Sequence, residues 1–132
     1  MPTLVVAAGR AIITNRLRGS GTEPTFIGWG TGAGTTADAN TTLFTETALN
    51  LSSTTGTRTV SGTSTQQTTT TTNDTYRVVG TLTASGAGTV TNAGLFDANT
   101  IGSGNMFMKG DFTGIGLASG DSIQFTFNAQ FT

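Results

Sequence analysis

The chain contains no cysteine and no histidine, two prolines, one tryptophan and one tyrosine. Disulfides, thiol catalysis, Cys or His zinc centres and His-based triads are therefore excluded. Charge is scarce as well. Six basic and seven acidic residues make up 10% of the chain, for a net charge of -1, against roughly 25% charged residues in an average soluble domain. A basic footprint for nucleic acid is missing. No run of 18 apolar residues occurs, so no helical membrane span is expected. The opening Met1-Pro2-Thr3-Leu4-Val5-Val6 has no basic n-region and too short an apolar run for a signal peptide. The expectation is a complete product of a cytoplasm, with no nucleic-acid or membrane partner.

What the sequence has in excess is threonine, 31 residues, and glycine, 19 residues, out of 132. Threonine is β-branched and favours strands, while glycine at short intervals suits tight turns. A surface kept soluble by Thr, Asn, Gln and Ser lacks the repulsion that holds proteins apart, which points to a subunit packed into an assembly.

One helix is expected, over Ala7 to Arg18. Ala8, Ile12, Ile13 and Leu17 fall near one face, Gly19 follows as a stop, and Arg16 and Arg18 suit the negative end of the macrodipole. Strands are expected at Phe26–Gly30, at Arg58–Gln67 as an exposed strand, at Tyr76–Thr83, at Thr89–Phe96 and at Asn105–Phe112. Thr31 to Asn40 reads as a long loop, Thr42 to Thr47 as a segment packing back on the core, and Thr68 to Asn73 as a strand end plus turn. Met106 and Met108 alternate with Phe107, which predicts one core side and one partner-facing side.

The last strand has the clearest pattern. Ile123, Phe125, Phe127, Ala129 and Phe131 alternate with Gln124, Thr126, Asn128, Gln130 and Thr132. This is period two, one face apolar and the other polar and uncharged. Ile123, Phe125, Phe127 and Phe131 are the expected core anchors. Together these elements predict an all-β fold, an antiparallel β-sandwich of jelly-roll-like form with one short N-terminal helix. The expected organisation is a single domain over 1–132, with residues 1–20 as arm and helix and 25–132 as sandwich.

Chemistry-bearing patterns are few. Gly28-Trp29-Gly30-Thr31-Gly32 contains a glycine spacing of dinucleotide loops but is not followed by a helix, so close backbone approach is the better reading. The acids are scattered singly, with no metal-loop or paired-carboxylate spacing. Asp74, Asp97 and Asp121 stand at turn positions, where Asp bonds its own backbone. Thr-x-Thr pairs recur without the regular spacing of an ice-binding face. The expected entries for catalysis, cofactor and metal are all none. Trp29, between glycines, suits a core or interface anchor better than a sugar platform.

Three motifs and the closing strand carry a resemblance. Phe26-Ile27-Gly28-Trp29-Gly30-Thr31-Gly32, Thr42-Leu43-Phe44-Thr45-Glu46 and Asn92-Ala93-Gly94-Leu95-Phe96-Asp97 resemble the small jelly-roll cement, or decoration, proteins on the heads of tailed bacteriophages, of the type found on the Bordetella podophage. The likeness runs from about Phe26 to the end, and related segments occur in phage tail and fibre proteins. It implies a structural, non-enzymatic virion protein on the outer capsid surface, binding the major capsid protein lattice and self-associating as a dimer or higher. The alternative is a tail or head fibre adhesin that binds a host surface glycan. Expected interface residues are Leu4, Val5 and Val6 in an apolar arm spanning Pro2 to Val6, with Trp29 and Phe44 as anchors beside it.

Overall fold

The computed structural model describes residues 3–58 and 61–132. Two antiparallel sheets pack as a sandwich with one short N-terminal helix. In chain order the elements are β1 (Thr3–Val5), α1 (Ala7–Leu17), β2 (Phe26–Gly30), β3 (Glu46–Thr47), β4 (Thr63–Gln67), β5 (Thr75–Thr83), β6 (Gly88–Phe96), β7 (Met106–Leu117) and β8 (Ser122–Gln130). The five-stranded sheet has the order β1-β7-β6-β2-β3, and the three-stranded sheet has the order β4-β5-β8. β6 pairs with β7 while β5 pairs with β8. These two nested pairs form one long hairpin that crosses from one sheet of the sandwich to the other.

The helix has the expected start and ends one residue early, at Leu17. Gly19 N–H reaches Arg16 O at 2.9 Å and Ser20 N–H reaches Asn15 O at 3.0 Å, the bond pair of a Schellman stop. Gly9, a weak helix former, has a packing reason: a Cβ there would overlap the Phe107 carbonyl oxygen. Its absence lets α1 lie directly on β7.

The core between the sheets joins Ile27, Trp29, Val90, Leu95 and Met108 of one layer to Val78, Leu82, Phe127 and Ala129 of the other. A second cluster, Val6, Leu43, Phe96 and Met106, packs separately from it. Leu43 is the apolar residue of Thr42–Thr47 that packs inward, into this second cluster rather than the core between the sheets. Met106, Phe107 and Met108 are all buried, which corrects the expectation of a partner-facing side. Met106 packs in the second cluster, while Phe107 and Met108 join the first.

Several other expectations change. The apolar arm is no free arm: Thr3–Val5 pairs with Gly110–Met108 of β7, and Val6 is fully buried. Pro2 lies outside the described residues. The exposed strand at Arg58–Gln67 is shorter, Thr63–Gln67, with 59–60 outside the described residues, and Arg58 is buried rather than exposed. β7 runs on to Leu117, five residues past the expected end.

Among the core anchors, Phe127 is buried, while Ile123 and Phe125 are half-buried on the same inward face. Phe131 is 53% exposed and is not a core residue. Its N–H bonds Asp74 O at 2.8 Å, but it lies past the end of β8, where no second layer covers it. Phe131→Ala should therefore cost under about 1 kcal/mol, whereas Phe127→Ala should cost about 3 kcal/mol. Urea unfolding of the two variants checks the pair, and equal losses would contradict this placement.

Candidate partner interface

The three sequence motifs converge on the five-stranded sheet. In β2 and β6, Gly28 pairs with Gly94, Trp29 with Ala93 and Gly30 with Asn92. β3 then adds Glu46 opposite Gly30 and Thr47 opposite Trp29. The segment before β3 crosses this surface closely. A Cβ on Gly30 would overlap the Phe44 carbonyl oxygen, and one on Gly28 would overlap the Glu46 carboxylate. Asn92, fully buried, accepts from Phe44 N–H at 3.0 Å and donates to Phe44 O at 3.1 Å, so its side chain mimics a strand partner. Thr91 Oγ1 donates to Gly32 O.

This face buries two cations. Arg58 makes a forked pair with Glu46, Nε to Oε2 at 2.7 Å and Nη2 to Oε1 at 2.9 Å, and its Nη1 donates to Ala98 O and Ser103 O. Its guanidinium sits 3.6 Å from the Phe96 ring centroid. Lys109, fully buried, donates to Thr42 O at 2.9 Å and Asn40 Oδ1 at 3.2 Å, with its ammonium 3.2 Å from the Phe44 ring centroid. Burial pulls the Lys109 pKa down, and the negative charge of Asp111 opposes that. Asp111 in turn accepts Thr36 N–H at 2.7 Å. These contacts clamp the 31–45 loop to the sheet.

Of the expected interface residues, Trp29 and Val6 are fully buried within the chain, so neither is offered to a partner in this fold. The Trp29 Nε1–H donates to Ala48 O at 3.3 Å, and its face is not available as a sugar platform. Val5 packs half-buried against the core. Leu4 remains exposed and is paired with Lys109, the residue beneath the half-buried Phe44 ring. The structure thus brings only Leu4 and Phe44 to one surface.

The turn aspartates do what their positions suggested. Asp74 accepts the N–H groups of Thr69, Thr70 and Thr71 and the Gln130 amide. The N–H groups of Thr71 and Thr69 lead in holding its carboxyl well below the usual carboxylate range. The polythreonine run is therefore a turn wrapped on one carboxylate. Asp97 accepts Asn105 N–H at 2.6 Å, and Asp121 accepts Ala118 N–H at 2.8 Å. Arg10 pairs with Asp38 at 2.6 Å in solvent.

Sequence reasoning missed an apolar groove of about 420 Å³ between the C-terminal half of α1 and the end of the chain, lined by Ile13, Leu17, Pro24, Tyr76 and Phe131 among others. Leu17 is 83% exposed at its rim. Its only sequence signal was Leu17 and Phe131 standing at the ends of otherwise buried patterns. Among the described residues, no group of three acidic side chains is placed to hold a metal ion. No helix among the described residues is long and apolar enough to cross a membrane. No protein-family model matches this chain, and neither a curated protein nor a solved structure shows detectable similarity to it.

Proposed function

We propose that this chain is a virion structural protein, a capsid cement subunit that binds the major capsid protein lattice of a tailed-bacteriophage head from outside. The observation that carries the reading is the use made of the three motifs that suggested it. Ile27-Gly28-Trp29-Gly30, Leu43-Phe44-Thr45-Glu46 and Asn92-Ala93-Gly94-Leu95 interlock with one another through strand pairing, close backbone contact and buried hydrogen bonds. Motifs of that kind maintain a stiff frame, and a stiff frame held in many copies is what a shell staple requires.

The surface supports the same reading. Two of the six basic residues, Arg58 and Lys109, are buried, and three more, Arg10, Arg16 and Arg18, lie on or at the end of α1. The three-stranded sheet carries one charge within its strands, Arg77, whose Nε donates to Asn128. Such a face can be covered with no ion but Arg77 to desolvate. Many weak contacts per shell would then add through multivalency. The subunit self-associates on the lattice and uses neutral contacts more than ion pairs.

Heads stripped of this protein should lose resistance to heat, and adding it back should restore it even in about 0.5 M salt, where the Debye length is only a few ångströms. Thermal release of DNA from native, stripped and replenished heads measures this. Recovery at low salt alone would overturn the neutral interface, and no binding to heads at any salt would overturn the cement reading.

A further inference from the structure

Each sheet has two edges. Three of the four are short: β1 has 3 residues, β3 has 2 and β4 has 5. The fourth is β8, with 9 residues, and no other strand among the described residues pairs with its outer side. The phase of its ladder is fixed at both ends, where Phe131 N–H bonds Asp74 O and Ala84 N–H bonds Asp121 O. By antiparallel alternation the odd-numbered residues of β8 bond β5, and Ser122, Gln124, Thr126, Asn128 and Gln130 turn their N–H and C=O groups outward.

Natural sheets protect such an edge with lysine, proline, a bulge or an inward charge. β8 has none of these. It carries no charge and no proline, and its nine pairs with β5 run without a register shift. The core is also open on this side. Phe112, Leu117, Ile123 and Phe125 remain only half-buried, and Ile115, opposite the buried Val90, is 40% exposed. Phe112 and Phe125 have ring centroids 6.2 Å apart, so the C-terminal half of β7 lies over the same margin as β8.

We infer that β8 is a self-pairing edge, and that two copies of this chain join through antiparallel β8–β8 hydrogen bonds about a two-fold axis at Thr126. The sequence of the strand is complementary to itself about that residue. Thr126 meets Thr126, Gln124 meets Asn128, and Phe125 meets Phe127 on the inward face. Polar residues stay on one face and aromatic residues on the other, with no like charges apposed. The product is a continuous six-stranded sheet whose apolar side draws Ile115, Ile123 and Phe125 further from water. The inference names the surface for the self-association included in the cement reading, yet it rests on strand geometry alone.

Sedimentation velocity of the full chain over a concentration series tests it. The wild type should form a dimer. Thr126→Arg, which sets two like charges face to face, should weaken dimerisation at least about tenfold. Gln124→Lys should act in the same direction, and both should keep the wild-type circular dichroism, because both side chains point outward. Thr126→Cys, the sole thiol in this chain, should be cross-linked to a covalent dimer by a short bis-maleimide. A wild type monomeric at every concentration would overturn the inference, as would charged variants that dimerise like the wild type. A monomer that still binds heads removes this inference and leaves the cement reading, and a dimer that ignores heads does the reverse.

Discussion

Glu46→Ala should destabilise the fold by about 3–5 kcal/mol, the loss found when one partner of a buried ion pair is removed. The Arg58 and Glu46 side chains are only 2% and 9% exposed, so solvent screens the pair little. Without the carboxylate, Arg58 would keep its two carbonyl partners and the Phe96 ring but hold an uncompensated charge inside the protein. The pair also ties β3 to the loop before β4, and Ala98 O and Ser103 O bring in the loop between β6 and β7. Glu46→Gln should cost less, because it preserves the length and one acceptor. The double change Glu46→Leu with Arg58→Met should recover much of the loss, since no charge is then stranded. Denaturant unfolding of the three variants measures this. A loss below about 1 kcal/mol for Glu46→Ala would mean that the pair behaves as a solvated surface contact.

Trp29→Ala should fall at the upper end of the range of about 3–5 kcal/mol for removing a buried large aromatic side chain. Trp29 is among the largest fully buried side chains, and its neighbours Ala93 and Thr47 are fixed by pairing on either side. The cavity cannot collapse without moving both strands, and Ala48 O loses its indole donor. The experiment separates two roles. A core tryptophan lowers the midpoint of unfolding in the isolated chain. An exposed anchor would leave that midpoint in place while abolishing partner binding. Loss of the far-UV strand signal on mild heating, at a temperature the wild type survives, is the expected result.

The parts of the fold that were legible are those whose pattern is local. β8 shows period two over its whole length, β2 and β5 are bounded by Pro24, Asp74 and Ser85, and α1 has a glycine stop. β7 continues past the expected Phe112 because its C-terminal half, through Gly114 and Gly116, is held by β6, with Gly116 paired to Thr89 in the ladder. β1 is three residues long and gains its identity only from β7, more than 100 positions away. Phe131 continues an alternating pattern beyond the layer that gives the pattern meaning.

The candidate site was less legible for the same reason. A charged residue in a polar stretch reads as exposed, and Arg58 is buried only because Glu46, Ala98 O and Ser103 O meet it from three separate segments. Lys109 reads as the outward residue of a strand until the 31–45 loop closes over it with Asn40, Thr42 and Phe44. Trp29 reads from sequence as a core or interface anchor, and periodicity over five residues does not choose between those two roles; its full burial places it in the core. Both faces of β2 are covered, so the alternation that marks an exposed face never develops.

The cement reading is tested most directly by the copy number and position of this protein in purified virions. Quantitative mass spectrometry of intact particles, heads and tails should find it with the heads, in fixed proportion to the shell protein. A few copies per particle, recovered with the tail, contradict the reading and transfer the chain to a fibre.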